Sequence, residues 1–140
     1  MFKVLAAIVV VLALVIGAVG QFTDCQSQGK SIALANGKTT PMKCHWTGQA
    51  ALGTALPLLG LGSVTAFTKR KESRRIIAVF GTLLGAFVIL LPTQLIGVCS
   101  NPDMLCNSVM KPTLILSGAL VIGISLVGLV ISERKPEQIA

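Results

Sequence analysis

The sequence predicts an all-α membrane protein, a four-transmembrane-helix bundle with a small disulfide-tied extracytoplasmic cap that contains a β-hairpin. Three observations support this fold class. Hydrophobic residues make up 53% of the chain and are pooled into four long runs, without the spacing of amphipathic helices or strands. Only 12% of the residues are charged, whereas a soluble domain typically carries about 25%. The loop after the first run and the loop after the third run each hold two Cys.

Each apolar run reaches about 20 residues, which is enough to cross the hydrocarbon core of a bilayer. The first run has a basic start at Lys3 and small residues at its end, as a signal peptide does. Because three more spans follow, we expect it to remain as an uncleaved first helix. Thr47 is expected to cap the start of the second helix. The predicted single membrane domain, 1–140, has helices at about 2–20, 47–67, 76–98 and 112–131, outer loops 21–46 and 99–111, and a cytoplasmic loop 68–75.

The Lys and Arg residues predict the orientation of these helices. Eight of the twelve flank the side that holds both termini and loop 68–75, and four lie on the other side. Because cytoplasmic flanks carry the excess of basic residues, we expect a multi-pass protein of the cell membrane with cytoplasmic termini and outward-facing Cys loops. The net charge of +7 therefore reports topology. The chain has no basic platform interleaved with aromatic residues, so we expect no nucleic-acid partner.

The first outer loop predicts the β-hairpin. Asn36-Gly37 lies between two stretches that favour extended structure, and this pair suits a two-residue turn in which both residues take positive φ. Cys25 and Cys44 flank the hairpin, while Cys99 and Cys106 lie in the second outer loop. Their outward location is typical of an oxidising compartment. Local pairing, Cys25–Cys44 and Cys99–Cys106, is the preferred arrangement of the three that four Cys allow, and pairing between the loops stays open.

The only His and the only Trp of the chain lie together, in the stretch Met42-Lys43-Cys44-His45-Trp46-Thr47. The structural interpretation is that Trp46 marks the membrane interface, where its ring is half apolar and its N–H stays wet. A second interpretation is a membrane thiol–disulfide oxidoreductase that uses the outer-loop Cys pairs, because positive charge beside Cys44 favours the reactive thiolate. The first outer loop lacks the Cys-x-x-Cys pair of such enzymes.

A third interpretation is an outward-facing metal or haem site at Cys44 and His45. Soft sulfur ligands with imidazole are what copper favours, and Met42, Met104 and Met110 lie on the same side. The loops show no standard ligand spacing and no Cys-x-x-Cys-His haem signature. We therefore expect no metal and no cofactor.

The apolar runs contain no Asp, Glu or His, and no Lys or Arg beyond Lys3. Proton relays and ion pathways use such residues, and no catalytic set of residues is present. Small residues at four-residue spacing instead allow helix backbones to approach closely in lipid. We expect a non-enzymatic accessory or scaffold protein of the cell envelope, embedded in the lipid bilayer and bound to a protein partner or to a second copy of itself. The residues expected at helix contacts are Gly62, Ala66, Gly81, Gly85 and Gly123.

The stretch from Met42 to Thr47, with Cys25 earlier in the same loop, resembles the opening of helix two in the family known as domain of unknown function 4418. Members of that family are small bacterial and archaeal membrane proteins with four helices, and a Met-basic-Cys-His-aromatic-Thr stretch recurs in them. The resemblance covers essentially the whole chain. It implies the four-span topology and no particular activity. It also suggests a component of an ABC-type exporter with a large outer domain as a partner.

Overall fold

The computed structural model describes residues 1–23, 32–40, 43–98, 100, 102–104 and 106–134. This part of the chain contains four long helices, α1 (Phe2–Phe22), α2 (Lys43–Phe67), α3 (Lys71–Leu90) and α4 (Lys111–Arg134). Short π-helical segments extend α3 and precede α4, at Leu91–Leu95 and Cys106–Met110. All four helices are long and apolar enough to cross a membrane. The predicted helical architecture, with four helices of sufficient length and apolar character to span a membrane, is confirmed.

The four helices are arranged as two pairs. α1 packs along α2, and α3 packs along α4, whereas the contacts between the two pairs are less extensive. The core between the pairs is aliphatic and includes Leu58, Val88, Leu91, Leu114 and Val121. Because consecutive helices are antiparallel, the bundle has two distinct ends. We call them the basic end, where α1 begins and α2 meets α3, and the cysteine end, where Cys44 and Cys106 lie.

Glycines bring α1 and α2 into backbone contact. A methyl group on Gly48 would overlap the carbonyl oxygen of Gly20, and one on Gly20 would stand 2.9 Å from the carbonyl oxygen of Gly48. Nearer the basic end, a methyl group on Gly62 would stand 2.7 Å from Cγ2 of Val10. These separations are shorter than carbon and oxygen atoms tolerate, so the spacing of the pair depends on the absence of side chains at these positions.

The second pair has the same kind of contact. An added Cβ on Gly85 would stand 2.9 Å from the carbonyl oxygen of Gly118, and one on Gly118 would stand 2.7 Å from that of Gly85. A Cβ on Gly81 would stand 2.5 Å from Oγ of Ser125. Gly123 departs from the expectation, because an added Cβ there meets nothing within 4 Å. It lies five residues after Gly118 and so points about 140° away around the helix.

Two helices begin earlier than the apolar runs indicate. α2 begins at Lys43 and not near residue 47, and α3 begins at Lys71 and not near residue 76. Charged side chains at helix ends reach water from inside the helix, so the helix extends past the apolar run. The predicted cytoplasmic loop 68–75 is thereby reduced to residues 68–70, and Ala66 lies half-buried next to it near the end of α2.

The two prolines inside apolar runs have different effects. α2 runs without interruption through Pro57. α3 changes to π-helical hydrogen bonding at Leu91–Leu95, which contains Pro92, and the N–H groups of Ile96 and Gly97 both bond to the carbonyl oxygen of Leu91. A proline removes one hydrogen bond and crowds the preceding turn, which a wider π turn relieves.

The loop between α1 and α2 contains two short antiparallel strands, β1 (Ile32–Ala33) and β2 (Thr39–Thr40), paired in the register Ile32↔Thr40. The turn differs from the predicted two-residue type. The N–H of Leu34 bonds to the carbonyl of Lys38, and among the described turn residues only Gly37 has positive φ. This is a three-residue loop that ends on a left-handed glycine.

The predicted cap is not supported as a packed unit. Residues 33–38 are all exposed, and an isolated two-stranded hairpin is only marginally stable in water. Cys25 and Cys99 lie outside the described residues, so the disulfide tie stays a prediction.

The glycine contact of the second pair predicts a matched result for two substitutions in α4. Gly118→Leu forces a side chain against the Gly85 carbonyl and should lower the free energy of unfolding by at least about 1–3 kcal/mol. Gly123→Leu adds the same side chain on an open face and should change it by less than about 0.5 kcal/mol. Chemical unfolding in detergent micelles measures both. Equal losses would contradict the assignment of Gly118 to the helix contact.

Candidate functional site

The Cys-His-Trp-Thr stretch lies at the beginning of α2, because the helix starts at Lys43. The helical period turns Cys44 and Thr47 toward the bundle, where both are fully buried. Trp46 points away and is 56% exposed, and His45 is half-buried. The stretch thus divides into an inward pair and an outward pair. Met42 lies outside the described residues.

Thr47, the second member of the inward pair, connects the two helix pairs. Its Oγ1 donates a 2.6 Å hydrogen bond to the carbonyl oxygen of Gly97, which follows the π-helical end of α3. Gly97 has φ +82, a conformation that favours glycine, and its N–H bonds to the carbonyl of Leu91. The predicted capping role of Thr47 is therefore wrong. The helix begins four residues earlier, and the Thr47 hydroxyl bonds across to the other helix pair.

The predicted sulfur residues that the structure describes converge on one core. Cys44, Cys106 and Met110 are each 0% exposed and belong to the same buried cluster, and Met104 packs against that cluster from the surface. Cys106 and Met110 enter it together because they are four residues apart in the segment that precedes α4. A thiol that exchanges with a substrate needs access and a charged environment. Cys44 and Cys106 are both fully buried, so neither side chain is accessible at the surface of the described part of the chain.

The directions of the Cys44 and His45 side chains bear on the predicted metal site. Within the described residues, no three side chains of His, Cys, Asp or Glu converge as metal ligands. Cys44 faces the core, while the neighbouring His45 lies half-buried beside the exposed Trp46. The described arrangement separates the imidazole from the buried sulfur atoms by helical direction.

The outward pair makes its own contact. The rings of His45 and Trp46 are 5.6 Å apart between centroids and inclined at 70°, an edge-to-face arrangement. Trp46 stands at the end of an apolar helix with its ring uncovered, which is where tryptophan marks the membrane interface. The arrangement suits an interfacial anchor.

Several residues that position this end escaped the sequence analysis. Gly20 was assigned to a helix end, yet it touches Gly48, and Gln21 beside it donates a 3.4 Å hydrogen bond from Nε2 to the Gly48 carbonyl. Gly97 was placed inside the third helix, although it ends the π turn in a left-handed conformation. For Gly20 and Gly48 the signal in the sequence is their position, one at the end of the first apolar run and one at the start of the second, where antiparallel helices lie side by side.

The Thr47 bond predicts a loss of stability that a matched threonine does not share. Thr47→Val keeps the shape and removes the hydrogen bond to Gly97, so the free energy of unfolding should fall by about 1 kcal/mol. Thr82→Val is the control, because the hydroxyl of Thr82 bonds at 2.9 Å to Ala78 of its own helix. It should change stability by less than half as much. The measurement is chemical unfolding in micelles, and equal losses would show that the bond between the pairs adds nothing.

No curated protein and no solved structure matches the chain. A family model matches residues 3–131, which include all but the last few residues of α4 and the motif at the start of α2. The chain therefore belongs to the family described as Domain of unknown function (DUF4418).

Proposed function

We propose that this chain is a non-enzymatic accessory or scaffold protein of the cell envelope, which binds another transmembrane protein through one face of α2. The observation that carries the proposal is a proline on that face, which removes the usual hydrogen-bond donor to the carbonyl of an exposed glycine. Gly53, Pro57 and Gly60 recur there at helical spacing, and all three are exposed. An added Cβ on Gly53 or Gly60 meets nothing within 4 Å.

Pro57 gives this face its acceptor. In an α-helix the N–H of residue 57 would bond to the carbonyl of Gly53, and proline has no N–H. No side chain in the described part of the chain donates to that carbonyl in its place. A lipid tail has no donor to offer, and an unsatisfied carbonyl in the hydrocarbon region is costly. The face therefore favours an occupant that supplies a hydrogen-bond donor.

The occupant that fits is a transmembrane helix of another protein. Such a helix can approach closely over Gly53 and Gly60, and a Ser, Thr or Asn side chain on it can donate to the Gly53 carbonyl. An ABC-type exporter component is the partner class that the sequence resemblance suggests. A second copy of this chain is the competing occupant.

The polar groups within the spans also favour a structural role. The hydroxyls of Thr54, Ser63 and Thr65 donate to carbonyls four residues earlier in their own helix, as those of Thr82 and Thr93 do. A proton relay or an ion pathway needs groups that bond to one another or to water along the bundle. Hydroxyls that bond only within their own helix are typical of helices that serve for packing.

For the outer loops we propose two local disulfides, Cys25–Cys44 and Cys99–Cys106, which tie the hairpin loop and the second loop to the bundle. Burial of Cys44 and Cys106 supports a structural role, because a buried disulfide is protected from exchange. Closing the longer loop would add roughly 3 kcal/mol in the chain-entropy model. For orientation we propose a cytoplasmic basic end, since seven described Lys and Arg lie there and three at the cysteine end.

Peptide mapping under non-reducing conditions tests the disulfides. We expect two bridged peptides, one for each loop, that resist mild reductant because the buried members are inaccessible. A bridge between Cys44 and Cys106 would contradict the local pairing. Rapid reduction of either bridge by a thiol carrier protein, with turnover, would support the oxidoreductase against the scaffold.

Site-specific photo-crosslinking in native membranes tests the α2 face. A photoreactive residue at position 60 should give an adduct with one other membrane protein, identified by mass spectrometry. The same residue at position 123, an open position on α4, should not. Adding Gly53→Leu should reduce the adduct at least tenfold, because the new side chain covers the approach to the carbonyl.

Pro57→Ala provides a second, independent variant. It restores the N–H for the Gly53 carbonyl, so it should stabilise the isolated protein while weakening the adduct at position 60. An adduct with the mass of two copies of this chain would assign the face to self-association. Equal adducts at positions 60 and 123 would overturn the proposed face.

A further inference from the structure

A cavity of about 60 Å³ opens between the two helix pairs at the basic end. All four helices contribute to its wall, which runs from Phe2 and Arg74 at the mouth to Gly81 in the interior. Gly81 lies seven positions after Arg74 on α3, so the cavity extends about 10 Å along the helix axis. Apart from Arg74, Thr65 and Ser125, its wall consists of apolar side chains and glycine.

Arg74 is the one charged residue in the described wall. Its guanidinium carbon lies 3.9 Å from the centroid of the Phe2 ring, and its Nε donates a 3.1 Å hydrogen bond to the carbonyl of Thr68. These contacts hold the side chain over the mouth. Within the described residues, its Nη groups donate to no protein acceptor and no carboxylate lies within 4.0 Å of it.

Arg75, the next residue, makes the comparison. Its side chain is 70% exposed, and its Nε lies 3.8 Å from the Glu133 carboxylate. At the basic end, the exposed Arg75 thus lies near a carboxylate, whereas the half-buried Arg74 has no carboxylate near it among the described residues. A cation held at the edge of an apolar membrane cavity requires a counter-charge. The described part of the basic end holds seven Lys and Arg against Glu72 and Glu133, so the field there attracts an anion.

We propose that this crevice binds a phospholipid with an anionic headgroup, whose phosphate contacts the Nη groups of Arg74 and whose acyl chain enters past Phe2. Guanidinium binds phosphate through two parallel N–H donors, which the Nη groups supply. The apolar wall accepts methylene groups and offers water few partners. Basic sites between transmembrane helices bind anionic headgroups by this combination.

The cavity volume limits how the lipid lies. About 60 Å³ cannot enclose a whole acyl chain, so one segment of the chain fills the crevice and the rest stays in the bilayer. The lipid would then lie at the less extensive contact between the helix pairs and bridge them at the basic end.

The test is native mass spectrometry of the full chain, delipidated in detergent and titrated with phosphatidylglycerol or with phosphatidylcholine of the same acyl chains. The wild-type protein should bind one phosphatidylglycerol at least tenfold more tightly than one phosphatidylcholine. Arg74→Gln should weaken the binding of phosphatidylglycerol tenfold or more, because it removes charged hydrogen bonds. Arg75→Gln, the matched control on the same turn, should weaken it by less than about threefold.

A second pair of variants tests the cavity without changing charge. Gly128 lines the cavity, and an added Cβ there meets nothing within 4 Å, so Gly128→Leu is chosen to place a side chain in the crevice. Because Gly128 lines the cavity, a leucine side chain there should compete with the acyl chain and abolish the preference for phosphatidylglycerol. Gly123→Leu, equally open but outside the cavity, should leave it unchanged. Thermal unfolding of each variant checks folding, and Gly128→Val replaces the leucine variant if that one does not fold.

Three outcomes overturn the proposal. Equal binding of the two lipids by the wild-type protein would mean that the site does not recognise an anionic headgroup. Equal losses in Arg74→Gln and Arg75→Gln would mean diffuse attraction of anionic lipid to the basic end. Equal behaviour of Gly128→Leu and Gly123→Leu would mean that the acyl chain does not enter. None of these measurements depends on the α2 face that is proposed to bind a protein partner.

Discussion

The structure depends on two places where helix backbones touch, Gly20 against Gly48 and Gly85 against Gly118. In water the burial of apolar side chains drives helices together. In lipid that force is absent between helices, and attraction comes from dispersion contacts that fall off steeply with distance. Removing the side chain at both members of a contact lets the backbones themselves become the surface. The pair α1–α2 and the pair α3–α4 are each joined in this way, so the hairpin of two helices is the unit of the fold.

Two polar interactions join one helix hairpin to the other, and they lie at opposite ends of the bundle. At the cysteine end the hydroxyl of Thr47 reaches the carbonyl of Gly97 on the other hairpin. At the basic end the guanidinium of Arg74 on α3 lies over the ring of Phe2 on α1. Each is a directional contact between hairpins that otherwise meet through aliphatic side chains. The two hairpins are therefore joined at both ends by specific contacts and along the middle by apolar packing.

The spans could be predicted from the sequence because lipid imposes a length and a composition that local pattern reveals. Gly62, Gly81 and Gly85 were named from spacing and do lie where helices approach. Gly123 has the same kind of spacing and faces away, because spacing gives a stripe but not the direction in which a partner lies. The role of Thr47 was missed for a related reason. The length of an apolar run does not show where its helix begins, and α2 begins at Lys43, one turn before Thr47.

The α2 face and the cavity at the basic end share one feature, and both proposals depend on it. On α2, Pro57 withdraws a donor from an exposed carbonyl, and on α3 the guanidinium of Arg74 lacks a carboxylate among the described residues. In each case a polar group at an apolar surface lacks its usual partner among the described residues, an N–H at position 57 for the carbonyl and a carboxylate for the guanidinium. A hydrocarbon environment makes such groups costly. On the two proposals, the stability of the chain in a membrane depends on what its neighbours supply, a hydrogen-bond donor at the α2 face and an anion at the basic end.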